Sequence, residues 1–289
     1  MMPRKRLGRT DIEISTFGLG TVKFGRNQGL KHPTTFELPS DETLRELLAC
    51  ARDMGVNLLD TAPAYGYSEE RLGELLRKER KNWVISTKVG EEFELDKFSG
   101  EAKSHYDYSA KHTRLSVERS LRRLRTDYLD LVLIHSNGND LEILTQTPVV
   151  QTLQQLKQEG WIRAFGISSK TVEGGLLAAE FCDALMLMYH PGYKDEEPVI
   201  AKSAQHGAAV LLKKVLASGH ICHDAPPVSD QTGQATDRAI QQDPLQDAFD
   251  FAYANSSVTS AVVGTINLQH LRANLIKALR AQTGHSFSE

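Results

Sequence analysis

The chain has 289 residues, 40% of them hydrophobic and 25% charged, with a net charge of -3 and a pI of about 6.4. That composition is ordinary for a water-soluble globular protein, and the length suits a large core or one barrel of about 250 residues. It supplies no global basic field for nucleic acid or an anionic membrane, no run near the roughly 18 apolar residues of a membrane span, and, with Cys50, Cys182 and Cys222 scattered, no disulfide framework.

The opening basic run "PRKR" is expected to be the solvated end of a first strand. No apolar stretch follows it, so no secretory signal is expected, and the odd cysteines fit a reducing, cytoplasmic setting. "RKRLGRTDIEIS" places a turn at Gly8 to Asp11 between two β-like arms, which predicts a hairpin. Eight short apolar runs then follow, at 17–21, 56–60, 83–88, 129–135, 162–168, 184–189, 208–213 and 260–264. Helical patterns lie between them at 41–54, 68–79, 109–125, 148–159, 171–180, 195–206, 244–255 and 267–281.

The helices carry their own punctuation. "SDETLRELLACARDMG" offers Ser40 or Asp41 as a cap, acids in the first turn and Gly55 at the end. "HTRLSVERSLRRL" sets Leu115, Val117, Leu121 and Leu124 on an apolar stripe. Ser68, followed by Glu69 and Glu70, is expected to cap the helix at 68–79. Strands such as "LDLVLIH" and "SAVVG" are apolar throughout, as strands are when both faces are buried. Eight βα units in a chain of this length predict one domain over 1–289, an α/β (β/α)₈ barrel of the TIM type preceded by the hairpin. The segments 25–40, 91–108 and 219–239 are expected to be loops.

Barrel enzymes place their chemistry at strand C-termini. Here strand 2 ends in Asp60, strand 3 in Lys88, strand 4 in His135, strand 5 in Ser168 and Ser169, and strand 7 in Lys213 and Lys214. Singly, each has a plain structural reading: a turn former, a solvated stem, a satisfied core histidine. Together, a carboxylate, an amine and an imidazole on three consecutive strand ends, with Tyr65 in the loop between, suggest a site that adds a proton to oxygen. A buried lysine needs a counter-charge, which Asp60 supplies. An ammonium beside a phenol lowers the phenol's pKa from about 10, so Tyr65 could protonate a carbonyl oxygen while His135 orients it. "GHICHD" at 219–224 has no familiar zinc spacing and is expected to be a loop over a cofactor, so no metal is expected. His105 and Tyr106 are placed at the substrate mouth by loop position alone.

These residues resemble the aldo-keto reductases. "NLLDTAPAYGYSEERLGELL" (57–76) is similar to the signature around that family's catalytic aspartate and tyrosine. "ISTKVG", "DYLDLVLIHS", "GWIRAFGISS" and "VVGTINLQHLRANL" match in order, and the resemblance runs from about residue 5 to 282. It implies a barrel that reduces a small-molecule aldehyde or ketone with NADPH, less often NADH. It implies Tyr65 as general acid, Lys88 lowering its pKa, Asp60 pairing with Lys88, and His135 orienting the carbonyl. The cofactor is expected along Gly20, Thr21, Asp60, Ser168, Ser169, Lys213 and Lys214. Its phosphates are expected near "GTIN" (Gly264, Thr265, Asn267) at a helix N-terminus, with His270 and Asn274 beyond. A Rossmann fingerprint is set aside, because "FGLGTVKFG" has Lys23 where the third glycine belongs.

The sequence also departs from the family pattern. Ser169, Met186 and Lys213 stand where members commonly carry an asparagine, a glutamine and an aromatic ring against the nicotinamide, and His270 stands where NADPH-selective members often carry an arginine. Two other readings stay open: Lys88 as a Schiff-base lysine in a non-redox barrel, and a regulatory subunit of the potassium-channel beta type with secondary redox activity. The short stretch before the first predicted strand favours the enzyme. Substrate and oligomeric state are not legible.

Overall fold

The alternation of apolar runs and amphipathic stretches closes on itself. A computed structural model describes residues 1–29, 35–95, 102–217 and 243–284. Its strands are β1 (Arg4–Arg6), β2 (Glu13–Ser15), β3 (Phe17–Gly20), β4 (Leu58–Asp60), β5 (Val84–Val89), β6 (Glu91–Leu95), β7 (Ala102–Tyr106), β8 (Leu129–His135), β9 (Ile162–Ser168), β10 (Ala184–Met188), β11 (Ala209–Lys213) and β12 (Val258–Gly264). Its helices are α1 (Val22–Gly25), α2 (Asp41–Asp53), α3 (Ser68–Leu75), α4 (Ala110–Leu124), α5 (Asp140–Gln146), α6 (Val149–Gln158), α7 (Val172–Ala178), α8 (Glu197–His206), α9 (Pro244–Ala254) and α10 (Leu268–Thr283).

Eight parallel strands form a closed barrel in chain order: β3, β4, β5, β8, β9, β10, β11, β12 and back to β3. This is the expected (β/α)₈ TIM barrel, and each of the eight predicted runs falls on one of its strands. The expected hairpin is also present, with β1 pairing antiparallel to β2 from Arg4↔Ser15 to Arg6↔Glu13. Two buried clusters explain the continuously apolar strands. One fills the barrel interior with Leu58, Val84, Leu131, Leu133, Ala164, Met186 and Leu211. Leu7, Ile12 and Ile14 belong to the same cluster, so the hairpin plugs the barrel floor. The other cluster lies between the strands and the helices, where Leu44, Leu47, Leu72, Val117, Leu153 and Leu275 meet Leu59, Ile85 and Val132. Each such side chain contributes about 1.5–3 kcal/mol by leaving water.

Ser40 caps α2 by accepting the Thr43 N–H. Three local readings are corrected. Ser68 is not the cap of α3: Tyr67 holds that position, and the buried Ser68 hydroxyl donates to Thr21 O at 3.0 Å. Leu115 does not join the apolar stripe of α4. It is 48% exposed, and the buried face runs through Thr113, Ser116, Val117, Ser120 and Leu124. Small hydroxyls fill that face because α4 lies close to its neighbours. Finally, the segment 91–108 contains a second hairpin, β6 with β7, from Glu91↔Tyr106 to Leu95↔Ala102. Its arms are polar and only partly buried, so they carry no apolar run to reveal them. The segment 219–239 with "GHICHD", and the centres of 25–40 and 91–108, lie outside the described residues. Among the described residues no helix is long and apolar enough to cross a membrane.

Candidate active site

The parallel register aligns the strand ends. Gly20 is level with Asp60, Asp60 with Ser86, and His135 with Ser168. The resulting mouth is a cavity of about 630 Å³. Of the predicted residues, Gly20, Thr21, Asp60, Tyr65, Lys88, His135, Ser168, Ser169, Lys213, Lys214 and Gly264 all line it. Thr265, Asn267, His270 and Asn274 lie beyond the rim, along the connection into α10 and its first turns. A shallower basic cavity, lined by Arg77, Arg80, Arg122 and Arg125, opens at the opposite end, where barrels carry stability rather than chemistry.

The proton-handling half lies on β4, β5 and β8. Lys88 is buried to 1% exposure, and an ammonium has three protons to place. They reach both oxygens of Asp60 at 2.8 Å, the Thr61 carbonyl at 2.8 Å, and the Tyr65 hydroxyl. Ser86 adds a hydrogen bond to Asp60 Oδ1 at 3.1 Å. Burial alone would push the Lys88 ammonium below its ordinary pKa, but Asp60 and Tyr65 outweigh burial and hold it above. Tyr65 ends a 3-10 turn over Pro63–Tyr65, and its orientation depends on the next residue. Gly66 sits at φ +61°, and a Cβ there would lie 2.2 Å from Gly25 O.

One expectation is corrected here. Tyr65 lies above its ordinary pKa, not below it. Burial is the largest influence, Lys88 pulls the value down, and Asp60 pushes it back up. The phenol therefore keeps its proton, as a donor must. His135 ends β8 edge-on to Tyr65, with centroids 6.3 Å apart and ring planes at 85°. Burial holds its imidazole below the usual histidine value.

Two residues in this region were missed. Glu91 opens β6, three positions past Lys88, and its Oε2 lies 2.7 Å from His135 Nδ1. The approach is close but off the direct line of a hydrogen bond. Burial pushes the Glu91 carboxyl up, but His135, Ser104 and Arg26 outweigh it and hold it at about 2. Its sequence signal was a carboxylate just past a glycine at a barrel strand end. Glu196, immediately before α8, is 1% exposed and lines the cavity. Burial, followed by the opposing pull of Lys213, leaves it at about 7. Acids are common near helix N-termini, which hid it.

The other half lies on β9 to β12. Lys213 Nζ donates to Ser168 Oγ at 2.9 Å and to Ser169 O at 2.7 Å. Burial, then Lys214, brings Lys213 down to about 7. Met186 is buried at 2% exposure on the cavity wall. Among the described residues the Ser169 hydroxyl and Glu196 Oε2 are buried without a hydrogen-bond partner. Asn267 serves as the cap of α10, its Oδ1 accepting the His270 N–H at 3.0 Å. His270 is exposed and Asn274 is buried. Among the described residues no cluster has the makings of a metal site.

These features fit a nicotinamide dinucleotide. Lys23, Lys170, Lys213 and Lys214 line the cavity for an anion, and the register pair Gly20↔Gly264 leaves backbone bare at its wall. The two orphaned polar atoms offer an acceptor and a hydroxyl to a polar ligand.

A family model described as the aldo/keto reductase family matches residues 16–222. A solved structure from Pseudomonas aeruginosa, provisionally described as an aldo-keto reductase, is 45% identical, covers 96% of this chain and 94% of its own, and superposes with a TM-score of 0.81. L-galactose dehydrogenase of Arabidopsis thaliana is 26% identical over 94% of this chain and 86% of its own length. An NADH-specific methylglyoxal reductase of Escherichia coli is 34% identical over 58% of this chain. That match spans about half the length of the relative, 52%.

Proposed function

The chain belongs to the aldo/keto reductase family, and from that premise we propose that it reduces an aldehyde or ketone to an alcohol with NADPH. One observation carries this reading: every Lys88 proton is committed to Asp60, Thr61 O or the Tyr65 hydroxyl, and Tyr65 lines the cavity. A Schiff-base lysine needs a free amine, and this one has none.

Tyr65 is the general acid. Lys88 holds its hydroxyl in place, Asp60 balances the lysine charge, and His135 orients the carbonyl oxygen. When bound, the nicotinamide supplies a hydride to the carbonyl carbon. Ser168, Ser169, Lys213 and Glu196 would hold its amide end, and Gly20, Thr21, Lys214, Gly264 and Thr265 its phosphates, with Asn274 toward the adenine. Lys213 bridges the two serines rather than stacking a ring, so this seat works by hydrogen bonding. NADPH is placed ahead of NADH because His270 and Arg272 are both exposed at the start of α10, where the helix dipole also favours a phosphate. The NADH-specific E. coli relative makes this choice worth measuring.

The test is nicotinamide oxidation against a panel of aldehydes and ketones, with dissociation constants for both nucleotides. Turnover of carbonyls supports the reading. Tight NADPH binding with no turnover of any carbonyl replaces it with the binding role of a channel-type subunit. NADH bound about tenfold tighter, about 1.4 kcal/mol, reverses the cofactor choice.

A further inference from the structure

Glu91 has no part in the scheme above, yet it is the nearest charge to His135. Gly90 puts it there. With φ at +103°, Gly90 turns the chain sharply off β5, and a Cβ on it would strike the Tyr108 ring at 2.4 Å. The same tyrosine donates its hydroxyl to the His135 carbonyl at 2.9 Å. One turn therefore delivers Lys88 to one side of the site and Glu91 to the other. The β6–β7 hairpin closes around Glu91: Ser104 and Tyr106 hydrogen-bond its carboxylate and Arg26 adds positive charge.

A carboxylate can only accept. Its 2.7 Å approach to His135 Nδ1, off the direct line of a hydrogen bond, is electrostatically favourable only when Nδ1 carries the proton. In the neutral ring, Nε2 is then a bare acceptor and cannot donate to a carbonyl oxygen. It becomes a donor only in the imidazolium. The charges facing His135 from its neighbours are mixed. Lys88 on β5 and Lys213 on β11 oppose the imidazolium, and Glu91 on β6 favours it. Tyr65 packs beside it with its own proton retained.

From this geometry we infer that Glu91 is a positioning residue that fixes the Nδ1–H tautomer of His135 and, by its charge, lets the ring become the Nε2–H donor that orients a carbonyl. This deepens the reductase reading and rests on it. It means that carbonyl orientation falls away as pH rises through the His135 pKa, while Tyr65 remains protonated.

Nitrogen NMR of ¹⁵N-histidine-labelled full-length protein tests this directly, with the His135 signal assigned by its loss in His135→Gln. The expected result is the Nδ1–H tautomer in the wild type. Glu91→Gln keeps an acceptor but removes the charge, so the tautomer should persist while the His135 pKa falls by about one unit, a tenfold change in proton affinity. Glu91→Leu should lose the tautomer as well. The alkaline limb of kcat/KM for reduction should move down with the NMR pKa in Glu91→Gln, with NADPH affinity within about twofold. A wild-type ring in the Nε2–H tautomer, or a pKa unmoved in Glu91→Gln, overturns the inference. The expected NMR result in a protein that turns over no carbonyl supports the role of Glu91 and overturns the reductase reading instead.

Discussion

The two halves of the cavity are built on opposite terms. On β4 and β5 the polar groups satisfy one another: Lys88 meets Asp60, Thr61 O and Tyr65, and Asp60 also takes Ser86. On β9 to β11 they do so less fully, because among the described residues the Ser169 hydroxyl and Glu196 Oε2 are buried without hydrogen-bond partners. A group with internal partners is preorganised and holds its geometry before anything binds. A buried group without one costs about 1–3 kcal/mol until a ligand arrives to pair with it. The first half is thus shaped for a reaction and the second for occupancy.

The sharpest break in that comparison is Tyr65→Phe. It should lower kcat/KM for reduction by about 10²–10⁴-fold, the usual worth of a positioned proton donor, yet leave NADPH affinity within about twofold by fluorescence titration. A parallel loss of affinity would show that the halves are not separate. Next is Lys88→Met, which strands a buried carboxylate. Urea unfolding should show a loss of about 3–5 kcal/mol, partly recovered when Asp60→Asn is added.

The occupancy half responds more mildly. Glu196 has its folded pKa raised from 4.5 to about 7, so its ionisation opposes folding. That cost is absent below the unfolded value, grows as pH rises toward 7, and is fully present above it. Glu196→Gln should therefore be more stable than wild type at pH 8 by about 1 kcal/mol, allowing for solvent screening, with the gain gone near pH 5. The smallest effect is at Lys213, which sheds its charge near pH 7. Wild-type NADPH affinity should be about threefold higher at pH 6 than at pH 8, and Lys213→Met should flatten that dependence.

Legibility crossed that divide, since Ser168, Ser169 and Lys213 were read at strand ends as readily as Asp60 and Lys88, and each half hid one acid. That Asp60, Lys88 and His135 would meet at one cavity could be read because a barrel makes strand ends converge, and strand ends show as apolar runs closing on a polar residue. The eight barrel strands were legible for that reason, since burial on both faces leaves little besides hydrophobic residues. The β6–β7 hairpin was not, because its arms are polar and only partly buried, with glutamates and a lysine like any loop. Glu91 was lost with it. Glu196 was hidden by the ordinary habit of acids to sit at helix starts. Ser68 misled because a serine before two glutamates is the usual pattern of a cap, whereas here its hydroxyl ties α3 to Thr21. The fall expected in the Tyr65 pKa failed because the sequence shows the neighbouring charge but not the depth of burial that opposes it.

The floor plug has a consequence for how the molecule is made. Arg9, in its turn, hydrogen-bonds the carbonyls of Cys182 and His206, 173 and 197 positions away, and Lys5 reaches Val258 across 253. Almost the whole barrel has to leave the ribosome before the hairpin has a place to seat. Leu7, Ile12 and Ile14 are synthesised early and buried late. During that interval they are the exposed greasy surface on which a chaperone or an aggregate would compete.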